Sequence, residues 1–438
     1  MIKRLMKYTL ALALGLLSVL SLAAQEKLSL KEAIDLALKN NYDILLRSNQ
    51  IQIAKNNVSL ANAGILPAIN GNLSNNHTIQ NSKQTLANGT QQQQDNAKNM
   101  NTNYGISLNW KIFDGFAMFA NYSRLQKLQQ AGELTFRMTV ENTIADIITT
   151  YFDLARQNQQ IRSLQTALEI SQIRLKNSES RFKIGKASKL EVLAAKVDLN
   201  TDTTNLLRQL DNYKNTQTLF NELLSRDIQT KFTLADSISI QSDLTFSQLQ
   251  NNAESKNPEL LQASINQQIA RLNQKQIRAS RLPGVNITTG YNFTNSSSAL
   301  GFAREASGRG VNYGLTASIP LFNGFLQTRN EKNAALAVDN SLLQYKQTQQ
   351  RVNAQLSISY QTYKTNLELV RLEKQNQEIA KQNLEISLEK FRLGSLSAVE
   401  FREAQLNYLN AYARYSDALF QAKQAEISLK QIAGILSF

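Results

Sequence analysis

The chain has 438 residues, a net charge of +14 and no cysteine. Without cysteine there are no disulfides, no thiolate metal sites and no thiol nucleophile. The single histidine, His77, lies in or beside a polar loop with no partners for a triad or a metal site. The basic residues are dispersed along helical patterns rather than gathered for nucleic acid.

Lys3, Arg4 and Lys7 precede an apolar run from Leu10 to Leu22, and small residues stand at Ser21, Ala23 and Ala24. That order predicts a signal peptide over residues 1–24, cleaved after Ala23 or Ala24. An uncleaved anchor is the other reading; against it, a spanning helix wants about 20 apolar residues. Loss of the leader removes three positive charges and leaves about +11. No later run suits a membrane helix, so an exported membrane protein of this sequence needs a closed β-barrel.

From there the chain is written twice. Asn103-Tyr104-Gly105-Ile106-Ser107 returns as Asn312-Tyr313-Gly314-Leu315-Thr316, and Ile112-Phe113-Asp114-Gly115-Phe116 as Leu321-Phe322-Asn323-Gly324-Phe325, both at an offset of 209. Upstream, Asn41-Tyr42 maps onto Asn257-Pro258 and Leu66-Pro67 onto Leu282-Pro283 at an offset of 216. Halves of this length exceed solenoid units and read as an ancestral duplication, repeat 1 over about 28–225 and repeat 2 over about 244–438.

Each half reads helix, strand, loop, strand, long helix, tight turn, helix. Strands are expected over about 65–76, 103–113, 283–294 and 311–322. Tyr104, Ile106, Leu108, Trp110 and Ile112 alternate with polar residues, and so do Val285, Ile287, Thr289, Tyr291 and Phe293. Period two gives one apolar and one polar face. Runs of about ten residues fit tilted membrane strands, with Asn, Ser, Thr and Gly facing a wet lumen. A soluble sandwich is the alternative, but it wants more than four strands. Four cannot close a barrel, whereas three chains supply twelve. Trp110, Phe113, Phe116, Tyr291, Phe293, Phe322 and Phe325 are candidates for an aromatic girdle at the membrane interfaces, in contact with outer-membrane lipid. The segments Asn76–Asn101 and Asn295–Gly310 are expected as polar loops, the first of them mobile.

Phe116 to Phe182 contains no proline and one glycine, and its apolar residues recur at close to 3.5. The pattern returns from Leu356 to Phe391. Sustained 3.5 spacing predicts coiled-coil packing. About 67 residues would span roughly 100 Å, more than a small core needs and suited to a tube crossing a compartment. Gly185 and Gly394 end the long helices, and Val192 and Phe401 restart apolar spacing in the returning ones.

At these turns the sequence resembles the TolC-like outer-membrane efflux proteins. The residues that carry the resemblance are Arg181-Phe182-Lys183-Ile184-Gly185 with Glu191-Val192-Leu193, and Lys390-Phe391-Arg392-Leu393-Gly394 with Val399-Glu400-Phe401. The duplicated order of strands and tips extends it over the mature chain. The resemblance implies an α+β membrane protein: a homotrimer with a twelve-stranded outer-membrane barrel, four strands per chain, continued by an α-helical coiled-coil barrel in the periplasm. It implies a passive exit duct for a tripartite efflux pump or a type I secretion system. Its partners would be a periplasmic adaptor protein and an inner-membrane RND or ABC-type transporter. Adaptor docking would fall on Arg181, Phe182, Gly185, Lys186, Lys390, Gly394 and Ser395. Glu400 and Glu403, six and nine residues after Gly394, match two acidic positions of the family. In a trimer they would form carboxylate rings that attract cations and have raised pKa values; otherwise they are solvated helix glutamates. Phe391 and Leu396 stand where some members carry a polar lock, so the resemblance allows an apolar constriction by Phe391 instead.

No catalytic residue, cofactor or metal is expected. Gly185-Lys186-Ala187 lacks the rest of a phosphate loop, and no two carboxylates are singled out as acid and base. An exported soluble coiled-coil adaptor or structural protein is the competing reading; it accounts for the helices but leaves the amphipathic strands without a purpose.

Overall fold

The computed structural model describes residues 26–300 and 303–436. The signal peptide expected over residues 1–24 therefore lies outside the described residues. In chain order the elements are β1 (Glu26–Leu28), α1 (Leu30–Asn40), α2 (Tyr42–Asn57), α3 (Leu60–Ala63), β2 (Ala68–Thr85), β3 (Gln91–Asp114), α4 (Ala117–Lys183), α5 (Lys189–Leu223), β4 (Phe232–Leu234), α6 (Phe246–Lys256), α7 (Pro258–Ala279), β5 (Gly284–Ser297), β6 (Glu305–Ser318), α8 (Leu326–Arg392) and α9 (Ala398–Ile432). The long helices α4 and α8 have 67 residues each, and the returning helices α5 and α9 have 35 each. Both α8 and α9 begin and end 209 residues after α4 and α5. None of the described helices is long and apolar enough to cross a membrane.

The chain divides into two compact units. One comprises the described residues up to Ser48, Phe136–Leu260 and the described residues from Gln349 on. Its main core gathers Ile147, Ile148, Tyr151 and Leu154 of α4 with Phe220 and Leu224 at the end of α5, Phe232 of β4, Leu28 of β1 and Ile34 of α1. Counted from Ile144, the spacing of Ile147, Ile148 and Tyr151 on α4 is i+3, i+4 and i+7, which is why that stripe is buried. Each such side chain contributes about 1.5–3 kcal/mol by leaving water. A capping box starts α1: the Ser29 hydroxyl accepts from the Glu32 N–H, and the Glu32 carboxylate accepts from the Ser29 N–H. Parallel pairing of β1 with β4 ties the start of the described chain to the segment after α5. The buried Tyr151 hydroxyl lies 3.0 Å from the Leu28 carbonyl and 3.1 Å from Asp236. A smaller core near the hairpin ends contains Ile170, Leu384, Phe391 and Phe401.

The other unit, Asn49–Thr135 with Leu261–Thr348, carries an antiparallel four-stranded sheet in the order β2-β3-β5-β6. Register brings apolar residues into rows across it: Gly71, Ile106, Tyr291 and Val311 form one, and Ile69, Leu108, Thr289 and Tyr313 another. The opposite face is polar and internally bonded, with Asn72 donating to Ser107 at 2.8 Å and Asn292 to Asn312 at 2.7 Å. Gly105 is required on this face, because a Cβ there would collide with the Tyr291 carbonyl. Among the described residues β2 and β6 each pair on one side only, so the single chain holds an open sheet.

Four strand expectations need correction. The polar loop expected over Asn76–Asn101 is mostly strand: β2 continues to Thr85 and β3 resumes at Gln91, joined by a turn with Gly89 at φ 82. Backbone pairing does not require apolar side chains, so Asn- and Gln-rich strands show no hydrophobic alternation. By the same argument β5 and β6 reach Ser297 and Glu305, inside the loop expected over Asn295–Gly310. At its other end β6 stops at Ser318 instead of near 322, just before Pro320, which has no N–H to donate. Ile112 also leaves the apolar row. The register shifts between Lys111 and Phe113, so that Phe113 faces Val285, the effect of one extra residue in a strand.

Candidate functional site

Both hairpin tips are built alike. At the first, Gly185 has φ 75, its N–H donates to the Phe182 carbonyl at 3.0 Å, and Lys186 N–H donates to Arg181 at 2.8 Å. At the second, Gly394 has φ 80, its N–H donates to Phe391 at 3.0 Å, and Ser395 N–H donates to Lys390 at 2.9 Å. This paired bonding is the Schellman ending that a left-handed glycine permits. Phe182, Lys186, Lys390 and Ser395 are exposed there. Arg181 is half-buried and reaches Glu191 at 3.4 Å.

The repeat-equivalent aromatics have different surroundings. Phe182 is 44 % exposed, whereas Phe391 is 2 % exposed and stacks on Phe401 with ring centroids 4.9 Å apart. Leu396 packs against the same cluster. In the single chain the Phe391 ring fills the hairpin core.

Glu400 and Glu403 are both exposed near the start of α9. Glu400 closes a capping box: its carboxylate accepts from the Ser397 hydroxyl at 2.7 Å and the Ser397 N–H at 3.0 Å. These bonds, the hydroxyl first, hold the Glu400 carboxyl below its ordinary value. In the single chain these two fixed donors favour the charged form of Glu400.

A buried ionic network just above the tips escaped the sequence reading. Arg402 of α9 donates to both carboxylate oxygens of Asp202 in α5, at 2.8 and 2.9 Å, and lies 3.7 Å from Asp198. Arg174 of α4, only 2 % exposed, pairs with Asp198. The Ser171 hydroxyl donates to Asp202 at 2.6 Å, and Gln405 reaches Ser171 and the Ala167 carbonyl. The network therefore couples the α8–α9 hairpin to the α4–α5 hairpin. The i, i+4 spacing of Asp198 and Asp202 was the only available signal, and it marks one helix face without saying what covers it. Beside the network opens a cleft of about 600 Å³ whose walls include Leu190, Ala194, Val399, Leu406 and Glu403.

In the sheet unit the aromatic candidates fall at two levels. Phe113 and Phe116 meet edge to face at 5.1 Å, and Phe322 and Phe325 at 5.5 Å, at the two strand-to-helix turns. Phe116 and Phe325 have φ of 70 and 61, a conformation costing roughly 1–2 kcal/mol for a residue with a Cβ. Tyr291 and Phe293 lie further along β5, and Tyr104, not among the girdle candidates, stacks on Phe293 at 4.8 Å. Val285, opposite Phe113, is eight residues before Phe293. At about 3.3 Å per residue that is roughly 26 Å along the strand, close to the height of the apolar band on a membrane barrel. Trp110 stands between the levels, its indole N–H donating to the Ile65 carbonyl at 2.8 Å. His77 pairs with Met100 across β2 and β3. Among the described residues no group of three or more His, Asp or Glu could hold a metal.

The sequence model of the outer membrane efflux protein family matches residues 33–224 and 249–435. The outer membrane protein TolC of Escherichia coli strain K12 is 20% identical over 345 residues, covering 77% of this chain and 70% of that protein. TolC of Vibrio cholerae is 22% identical over 339 residues, 76% of either chain. In structure, the Campylobacter jejuni CmeC outer membrane channel superposes with a TM-score of 0.78 at 18% identity, covering 92% of this chain and 85% of the other. VceC of Vibrio cholerae gives 0.74 at 15% identity, covering 92% and 96%. At these identities the structural likeness is one of fold.

Proposed function

This chain belongs to the outer membrane efflux protein family, and from that premise we propose that three copies close a twelve-stranded barrel that serves as a passive exit duct. As a family member it is an outer-membrane transport protein with its helical part in the periplasm. The observation that carries the trimeric duct is the open sheet. Four strands leave β2 and β6 with unpaired edges, and lipid cannot satisfy unpaired backbone groups. Pooling the strands of three chains abolishes the edges. The apolar rows then face lipid between two aromatic levels, and the Asn- and Ser-bonded face lines the lumen.

In this reading the tips, with Arg181, Phe182, Lys186, Lys390 and Ser395 around Gly185 and Gly394, receive a periplasmic adaptor, and an RND or ABC-type transporter supplies the energy. The duct serves a tripartite efflux pump or a type I secretion system. Glu403, exposed on the wall of the cleft near the tip, and Glu400, held by its capping box, provide threefold carboxylate rings toward the periplasmic mouth. Such rings favour cations.

Planar-bilayer conductance of the detergent-purified protein tests the duct. The expected result is a discrete cation-preferring conductance whose preference falls in the Glu400→Gln, Glu403→Gln double variant. Recovery of a periplasmic monomer that needs no detergent and forms no conductance would end the proposal. A normal conductance with unchanged selectivity would remove only the carboxylate rings.

A further inference from the structure

Where β3 turns into α4, the sheet unit has an open cleft of about 480 Å³. Phe116, Phe119, Leu272 and Leu282 provide its apolar walls, and Lys275 and Arg278 stand at its side. The two Phe rings are 62 % and 55 % exposed and Leu282 is 45 % exposed, so a sizeable apolar surface is open to its surroundings. The backbone is shaped to form this junction. Gly115 approaches α7 so closely that a Cβ would collide with the Ala279 carbonyl, and the next residue, Phe116, keeps the left-handed φ of 70 with its ring turned outward. Strain of this kind persists only where the surroundings over-determine it.

The charge beside the cleft is unbalanced. Lys275 and Arg278 are exposed on the last turns of α7, with Arg271 at i−4 from Lys275. Neither Lys275 nor Arg278 forms an ion pair within 4.0 Å among the described residues. The carboxylate that Arg278 senses, Glu331, is already bonded to Arg281 at 2.5 Å and Gln327 at 2.9 Å. At the offset of 216 the counterparts of Lys275 and Arg278 in the first repeat are Ser59 and Asn62. The architecture of this junction therefore does not itself demand two cations.

We infer that this cleft binds an anionic glycerophospholipid, with an acyl chain against Phe116, Phe119, Leu272 and Leu282 and the phosphate between Lys275 and Arg278. The inference rests on the barrel reading, in which the strand-to-helix turns lie at the periplasmic rim of the membrane. Apolar walls beside two unneutralised cations match a molecule with a hydrocarbon chain and an adjacent negative headgroup. Basic residues near a membrane surface favour anionic lipid, and two of them give a preference of roughly tenfold or more over a zwitterionic lipid.

The test takes the full-length protein purified in neutral detergent and stripped of lipid. It is offered equal phosphatidylglycerol and phosphatidylethanolamine of matched chains, and retained lipid is counted by native mass spectrometry. Wild type should retain the phosphatidylglycerol about tenfold more. The Lys275→Gln, Arg278→Gln variant should retain the two equally, and Phe119→Ser should lower retention of both. Excess inorganic phosphate should not displace the phosphatidylglycerol. Equal retention by wild type, or an undiminished preference in the double variant, overturns the inference. The latter would leave those cations only complementing the carboxyl end of α7. Displacement by phosphate overturns it in favour of a free-anion site. If the protein is a detergent-requiring trimer without preference, the lipid site alone is lost; a soluble monomer that retains no lipid removes the barrel reading as well.

Discussion

Replacing Asp202 with alanine tests whether charge holds the two hairpins of a chain together. Asp202 is almost fully buried and accepts two N–H groups of Arg402 and the Ser171 hydroxyl. Without it, the carboxylate left to Arg402 is Asp198 at 3.7 Å, which Arg174 already engages. Removing one partner of a buried ion pair costs about 3–5 kcal/mol, because the other charge stays desolvated. The remaining pull of Asp198 favours the lower end, about 3 kcal/mol, or roughly 150-fold in the equilibrium for parting the hairpins. Hydrogen exchange of the detergent-solubilised protein, followed on peptides from the starts of α5 and α9, reads that equilibrium directly. Protection there should fall by about two orders of magnitude in Asp202→Ala, with the sheet peptides unchanged. Adding Arg402→Ala should restore part of it, since no guanidinium then stays desolvated without its bidentate partner, and Asp198 keeps Arg174. A loss of protection under about threefold, or strictly additive effects of the two substitutions, would refute the reasoning.

The tip aromatics should separate by role. Phe391→Ala, which empties the space against Phe401, should cost about 3 kcal/mol of hairpin stability. Phe182→Ala should leave stability within about 0.5 kcal/mol while weakening cross-linking to an adaptor; equal destabilisation by both would contradict the packing described. Glu426 gives a pH dependence. Burial pushes its carboxyl up, but Lys430, the Gln241 backbone N–H and Lys423 together outweigh this and hold it below the ordinary 4.5. A lowered folded pKa stabilises above the unfolded value, and that stability is lost as pH falls through the folded value. The melting temperature of wild type should therefore drop more steeply below pH 4.5 than that of Glu426→Gln, and parallel curves would exclude the contribution.

Much of the fold was legible because the relevant signals are local and repeated. The Gly185 and Gly394 turns, the uninterrupted helical runs before them and the alternation at Tyr104–Trp110 and Val285–Phe293 are each read within one segment, and the offset of 209 repeats the turns and runs in the second half. The extension of β2 and β3 through Asn76–Asn101 was not legible, because strands of Asn and Gln show no contrast between faces. The candidate site was half legible. Glu400 and Glu403 could be located by spacing from Gly394, but their surroundings could not. Phe182 and Phe391 occupy equivalent positions in the repeats, and nothing in their own neighbourhoods says that one ring is exposed and the other buried.

By itself, then, the order of residues determined the duplication pattern, the helix and strand periodicities, the glycine turns and the absence of thiol chemistry. These depend on backbone preference and on periods of two or about 3.5, which act over a few residues. Only the tertiary structure decided that Arg402 meets Asp202 across two hundred positions, that Phe391 belongs to a core, that Ile112 yields its row to Phe113, and that Lys275 and Arg278 flank an apolar cleft. Those outcomes depend on which faces meet, and a helix or strand read alone carries its faces without naming the neighbour that covers them.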